Sequence, residues 1–302
     1  MSKAVYQRLV PEKVRLKIWR MRQDIPRKLH DLRWRLANPA YIARWTEKKL
    51  ALGEYFWLFI LGCNNSGTTL LLQLLESHPR IRSLHKEGQF ATEALPKPPE
   101  LDVGRLFTKR LDIFRWTEQD DATFVPRIRY DWARQFDPAP GMLLEKSPTN
   151  TLRSRWLQRN FQPCRFITIV RIPYAVCEGI CRRKGVSIAE AATHWKLVHE
   201  ILGEDMTFLE HCFLFRYEDF CESPEKTLTA IAEFLELEPP FSRDILGKTF
   251  RTHNMDNTSQ VIQNFNARSL ERLSAQDIET INRIAGNQMQ RFGYALIHKE
   301  KA

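Results

Sequence analysis

Apolar and polar positions follow two different rhythms along this 302-residue chain, and the change falls near residue 54. Before it, Val14, Ile18, Met21, Ile25, Leu29, Leu32 and Leu36 recur at steps of three and four, the spacing of one helix face. This predicts an amphipathic helix bent at Pro26, with Trp19, Trp34 and Trp45 adding bulk. After it, short apolar runs alternate with helical stripes. Tyr55 to Leu61 (Y-F-W-L-F-I-L) is too short for a helix and reads as a buried strand. Thr68 to Ser77 then carries Leu70, Leu71, Leu74 and Leu75 on one helical face and stops at Ser77-His78-Pro79. Arg165 to Val170 and His211 to Arg216 predict two further strands. Helices are expected over 174–183, 224–235 and 274–292, the last closing at Gly293. Residues 96 to 140, rich in proline and loop signals, predict no more than scattered helix.

Strands separated by helices argue for an α/β fold whose parallel sheet is covered on both faces. The expected organisation is a basic helical extension over 1–50 and an α/β domain over 51–302, with no internal repeat.

Charge sharpens that division. Residues 1–50 hold fourteen Lys or Arg against four Asp or Glu, a net +10 that equals the charge of the whole chain. The remaining residues are therefore balanced, and no basic groove motif points to nucleic acid. The basic helix fits two roles: folding back over the main domain, or lying on an anionic membrane surface. The six cysteines form no C-x-x-C pair and no zinc-ligand spacing, which implies buried or free thiols in a reducing compartment. The start M-S-K-A-V-Y has no apolar signal region, and the longest apolar run falls far short of the ~20 residues of a membrane span. A cytoplasmic protein is expected, peripheral on the inner face of the membrane if the extension binds lipid.

The candidate chemistry begins where the first strand ends. Gly62 to Thr69 (G-C-N-N-S-G-T-T) has the spacing of a nucleoside-triphosphate loop, G-x-x-x-x-G-K-[ST], with Thr68 in place of the lysine. A strand, a small-residue loop and a helix N-terminus make an anion site from free N–H groups and the helix dipole. Without the lysine, and with no strand ending in an Asp to hold magnesium, the loop is expected to grip a phosphate that is not itself transferred.

The stretch S-G-T-T-L-L-L-Q-L-L-E-S-H-P-R-I at 66–81 resembles the 5′-phosphosulfate loop of sulfotransferases that use 3′-phosphoadenosine 5′-phosphosulfate. L-L-E-K-S-P-T-N at 143–150, F-I-T-I-V-R-I-P at 166–173 and F-R-Y-E-D-F-C-E-S-P-E-K-T-L at 215–228 follow in that family's order and spacing. R-I-P-Y-A-V-C-E-G-I-C-R-R-K at 171–184 is most similar to the broad bacterial branch that also resembles protein-tyrosine sulfotransferases.

The resemblance implies a P-loop-like parallel sheet, that donor as co-substrate, and no metal. It places Asn64, Asn65, Ser66, Gly67, Thr68 and Thr69 around the 5′-phosphate, and Arg171 and Arg183 on the 3′-phosphate. Gly179 stands where the family has a serine, leaving a backbone N–H or Arg182 to replace the hydroxyl. Asn65 stands where it has Lys or Arg, so an amide donor replaces a positive charge. Lys146 would face the sulfuryl group, unless it is a surface lysine at a helix start. Glu87 is implied as the base that takes the acceptor proton, with His85 as the alternative. Tyr217 would lie near adenine or else be a core tyrosine. Asn257 and Thr258 match a donor-closing loop, and Arg272 a lysine of the tyrosine branch. The implied acceptor is a hydroxyl on a glycan or lipid-linked saccharide, with a peptide tyrosine as the alternative. A kinase with a degenerate loop and an inactive nucleotide-binding relative are the other classes that fit these residues.

Overall fold

The computed structural model describes residues 38–50, 55–84, 86–136, 141–251 and 259–299, together with 32, 34 and 36. The chain divides into two units, 1–48 and 49–302. Of the stripe that begins at Val14, only Leu32 and Leu36 are described, and both are helical and exposed; the rest of that expectation lies outside the described residues. Helix α1 (Pro39–Leu50) buries Ile42, Thr46 and Leu50, spaced one turn apart on one face.

The larger unit is built on five strands: β1 (Tyr55–Leu61), β2 (Ile81–Ser83), β3 (Gly141–Lys146), β4 (Cys164–Val170) and β5 (Cys212–Arg216). They form one sheet in the order β2-β3-β1-β4-β5, every adjacent pair parallel. The helices are α2 (Thr68–Leu75), α3 (Val125–Ala133), α4 (Ser154–Asn160), α5 (Pro173–Lys184), α6 (Ile188–Asp205), α7 (Tyr217–Glu222), α8 (Pro224–Leu235), α9 (Asn266–Arg272) and α10 (Ala275–Arg291), with shorter helical turns between them. Ser187 and Ser274 cap α6 and α10 in reciprocal hydrogen bonds with Glu190 and Asp277. A short antiparallel pair, β6 (Phe250–Arg251) and β7 (Ser259–Gln260), lies outside the main sheet.

The continuous apolar run of β1 is explained by burial on both faces. Its two-residue period sorts side chains into unlike layers. Trp57 and Phe59 face an aromatic layer with Trp132, Phe161 and Phe166, ring centroids 5.1–6.5 Å apart. Leu58 and Ile60 face an aliphatic layer with Leu71, Leu74 and Leu75 of α2 and Leu228 and Ile231 of α8. Each fully buried side chain of this size contributes about 1.5–3 kcal/mol. The strand is thereby fixed in the middle of the sheet, and the loop that follows it is fixed with it. Among the described residues, no helix is long and apolar enough to cross a membrane.

Candidate active site

Because β1 lies between β3 and β4, the chain leaves its C-terminal end at the point where the flanking connections diverge. In parallel sheets this is where a crevice opens. All five strands deliver residues to that edge: the 62–67 loop after β1, Glu87 after β2, Lys146 at the end of β3, Arg171 after β4 and Tyr217 after β5.

The loop is held from several directions. Gly62 N–H donates to Thr151 Oγ1 at 2.8 Å. Gly67 adopts φ +99°, and a Cβ there would lie 2.9 Å from Tyr217 Cδ2. Only glycine meets both conditions, so the backbone passes directly over the tyrosine ring. Asn65, at φ 65°, is the centre of the arrangement. Arg105 Nη1 and Arg183 Nη1 both donate to its Oδ1, at 3.0 and 2.8 Å, and Arg171 Nη1 donates to its backbone carbonyl at 2.9 Å. Three guanidinium groups from separate segments thus meet at one residue. Burial lowers the pKa of Arg183, and the positive charges of Arg105, Arg182 and Arg171 add to the effect. Such crowding favours an anion. Ser66 Oγ beside it is fully buried and has no hydrogen-bond partner among the described residues, the state of a hydroxyl placed to donate to a ligand.

Arg171 is positioned further by Asn266 Oδ1 at 2.8 Å and by the Tyr217 ring, 4.1 Å below its guanidinium carbon. Asn266 is oriented in turn by Glu218, which also accepts from Ile172 N–H and Tyr294 OH.

The second half of the site is an ion pair. Lys146 Nζ lies 2.7 Å from Glu87 Oε1, and Gln89 Nε2 donates to Glu87 Oε2 at 2.8 Å. Glu145, one residue before Lys146, is fully buried. It accepts from Gly88 N–H at 2.7 Å, from Ser147 Oγ at 2.5 Å and from Asn150 Nδ2. Burial raises its pKa, opposed by those hydrogen bonds and by the charge of Arg153. Burial in turn pushes Arg153 down to about 10. Glu145 therefore pins the backbone next to Glu87 against the strand that carries Lys146.

Residues 58–242 match the sequence pattern described as the Sulfotransferase family. The chain belongs to that family. Protein-tyrosine sulfotransferase 2 of Gallus gallus is 28% identical over 189 residues, 59% of this chain, and the match spans 50% of that relative's length. Among solved structures, the fold is similar to the sulfotransferase domain of the Synechococcus PCC 7002 olefin synthase, with a TM-score of 0.52, 20% identity and coverage of 80% of this chain and 96% of that one. It is also similar to sulfotransferase STF9 of Mycobacterium avium, with a TM-score of 0.53, 18% identity and coverage of 86% and 82%. The parallel sheet flanked by helices is the fold of these sulfotransferases.

The structure brings Asn65, Ser66, Gly67, Arg171, Gly179, Arg183 and Tyr217 to one cluster, and Glu87 and Lys146 to an ion pair. Asn64 is turned aside, its amide donating to the carbonyl of Arg105 at 2.7 Å. Thr68 and Thr69 open α2, Thr68 buried and Thr69 half-buried. Lys146 is a buried residue at the end of a strand, not a surface lysine at a helix start. Tyr217 is buried under Gly67 and Arg171, with its hydroxyl donating to the carbonyl of Gln263 at 2.9 Å, so it forms the floor of the loop.

Asn65 does not present its amide as a donor into the crevice. Two guanidinium groups take Oδ1, and Nδ2 turns towards Val176 O and Gly179. A Cβ on Gly179 would lie 3.0 Å from that nitrogen, so the departures at 65 and 179 occupy one space. Arg182 does not replace the missing hydroxyl. It pairs with Glu178 at 2.7 Å, and Arg272 reaches the same carboxylate at 3.4 Å. His85, Asn257 and Thr258 lie outside the described residues. Arg105 was not legible as a site residue, since it falls in no motif or periodic stripe, and Glu145, although it lies inside L-L-E-K-S-P-T-N, carries no local sign that it pins the Glu87 segment. Among the described residues, no group of three His, Cys, Asp or Glu side chains could hold a metal.

Proposed function

We propose that this sulfotransferase moves a sulfuryl group from 3′-phosphoadenosine 5′-phosphosulfate to an acceptor hydroxyl by in-line transfer. The observation that carries this reading is the meeting of Arg105, Arg171 and Arg183 at Asn65, beside the unpartnered buried hydroxyl of Ser66. A ligand with phosphate groups at both ends fits a site whose donors come from a helix-capping loop and from guanidinium forks. The loop N–H groups, Ser66, Thr68 and Thr69 would hold the 5′-phosphate. Arg171 and Arg183 would hold the 3′-phosphate. Glu87, already within 2.7 Å of Lys146, would take the acceptor proton while Lys146 offsets charge on the sulfuryl oxygens.

A saccharide hydroxyl, free or lipid-linked, is the acceptor we favour. Peptide tyrosine is the second reading, supported by the likeness to protein-tyrosine sulfotransferase 2. The test of the donor site is calorimetric titration with adenosine 3′,5′-bisphosphate, with and without magnesium. Binding is expected to be independent of the metal. Arg171→Ala is expected to lower affinity on the order of 10²-fold, the scale of a lost charge-assisted pair. A folded wild type that does not bind, or binds only with magnesium, would overturn the reading.

A further inference from the structure

Positive charge reaches the tip of the loop from outside it. Arg105 lies in the turn that precedes the 3-10 helix Phe107–Arg110. It is tied to the loop at both ends: its backbone carbonyl accepts from Asn64 Nδ2 at 2.7 Å, and its Nη1 donates to Asn65 Oδ1 at 3.0 Å. Two successive loop residues therefore fix where its guanidinium stands. The charged neighbours of the two arginines that share Asn65 Oδ1 differ. Arg183 feels Arg105 itself together with Arg182, Glu178 and Arg171, whereas Arg105 feels Glu87. Arg105 and Arg183 meet at Asn65 Oδ1, and of the two it is Arg105 whose charge is coupled to Glu87, the partner of Lys146. The guanidinium is half-buried, and burial lowers its pKa while Glu87 raises it. In such partial burial a charge acts more strongly than it does in water.

We propose that Arg105 is a catalytic residue of the transfer, stabilising the negative charge that develops on the oxygen bridging sulfur and the 5′-phosphate. The proposal rests on the sulfuryl-transfer reading above. In that step the acceptor oxygen bonds to sulfur and the bond from sulfur to the bridging oxygen breaks. The electron pair stays on the 5′-phosphate, and the acceptor proton passes to Glu87. The oxygen that gains charge needs a cationic donor. Loop position 65 cannot be that donor, because Asn65 spends its carbonyl on two arginines and turns its amide nitrogen to Val176 and Gly179. Arg105, held by that same carbonyl, supplies the charge from a different segment.

The test needs no knowledge of the acceptor, because water can take its place. Sulfate release from 3′-phosphoadenosine 5′-phosphosulfate is followed in single turnovers, alongside calorimetric binding of adenosine 3′,5′-bisphosphate, which also reports folding. Arg105→Ala is expected to slow release about 10²-fold, with affinity for the bisphosphate changed less than about threefold. Arg105→Lys, and the pair Asn65→Lys with Arg105→Ala, are each expected to recover about tenfold of that loss by restoring a charge. An unchanged release rate in Arg105→Ala overturns the proposal and leaves the donor reading standing. So does a rate loss matched by an equal loss of bisphosphate affinity, which would make Arg105 a binding residue only. A folded wild type that does not bind the bisphosphate overturns the proposal and the transfer reading together.

Discussion

Gly67→Ala separates backbone strain from steric contact, because the chain carries its own control. Gly67 and Gly185 both have positive φ, +99° and +65°. An alanine at either position pays the left-handed penalty of about 1–2 kcal/mol, and both changes reduce unfolded-chain entropy equally. Their surroundings differ. Around Gly185 a Cβ meets nothing within 4 Å, whereas at Gly67 it meets Tyr217 Cδ2 at 2.9 Å and Ile169 Cδ1 at 3.1 Å. The tyrosine cannot yield readily, since Arg171 covers its face at 4.1 Å and Gln263 O holds its hydroxyl. Gly67→Ala should therefore cost about 1–3 kcal/mol more than Gly185→Ala, the usual range for overpacking. Urea unfolding of both variants gives that difference directly. Bisphosphate titration should show binding weakened in Gly67→Ala alone. Equal destabilisation of the two variants would refute the account of a rigid tyrosine floor.

Gly179→Ser restores the residue typical of the family pattern, yet it should weaken bisphosphate binding about tenfold, because a Cβ 3.0 Å from Asn65 Nδ2 displaces the amide that brackets two arginines; calorimetry showing tighter binding would sink this reasoning. Stability should also depend on acid pH. Burial lowers the pKa of His194 to about 3 and of His199 to about 4, and Nε2 of each has no partner among the described residues. Both stay neutral when folded and gain a proton when unfolded below the ordinary histidine value near 6.5, so stability falls as pH drops through that value. Between pH 6.5 and 5 the two together should cost about 3 kcal/mol. The raised pKa of Glu145 acts in the opposite direction. Urea unfolding at pH 7 and pH 5 should show the loss, and the double variant His194→Gln, His199→Gln should flatten it; a wild-type slope in that variant would rule the histidines out.

The elements that could be read from the sequence were those whose burial is purely apolar. Strand β1 and helix α2 stand out because both β1 faces pack against hydrocarbon and a glycine turn separates them. Strand β3 is equally buried but escapes notice, because its last residues are Glu145 and Lys146, and charges at buried positions break the apolar run. Helix α6 is obscured in the same way: His194 and His199 interrupt the face formed by Ala191, Trp195, Val198 and Leu202. At the site, motifs located Ser66, Gly67, Arg171 and Arg183, since loop spacing and strand ends leave a local signature. What Asn65 does could not be read locally, because its role is set by Arg105, 40 residues away, and Arg183, 118 away. Arg105 itself sits in a turn with no periodic pattern, where the only sequence signal is an arginine after Gly104.

The parallel topology bears on how far the binding loop can be moved between proteins. Each part of it is held by a remote stretch of chain: Gly62 by Thr151, Asn64 and Asn65 by Arg105, Asn65 again by Arg171 and Arg183, and Gly67 by the ring of Tyr217. The partners arrive on crossovers that close only when β3, β4 and β5 have joined the sheet, and such long-range pairings form slowly and together. The eight residues from Gly62 to Thr69 are therefore not a transferable module. Grafted after another strand they would keep their spacing but lose the geometry that makes them a receptor, and a nascent chain acquires that receptor only after most of the domain has been synthesised.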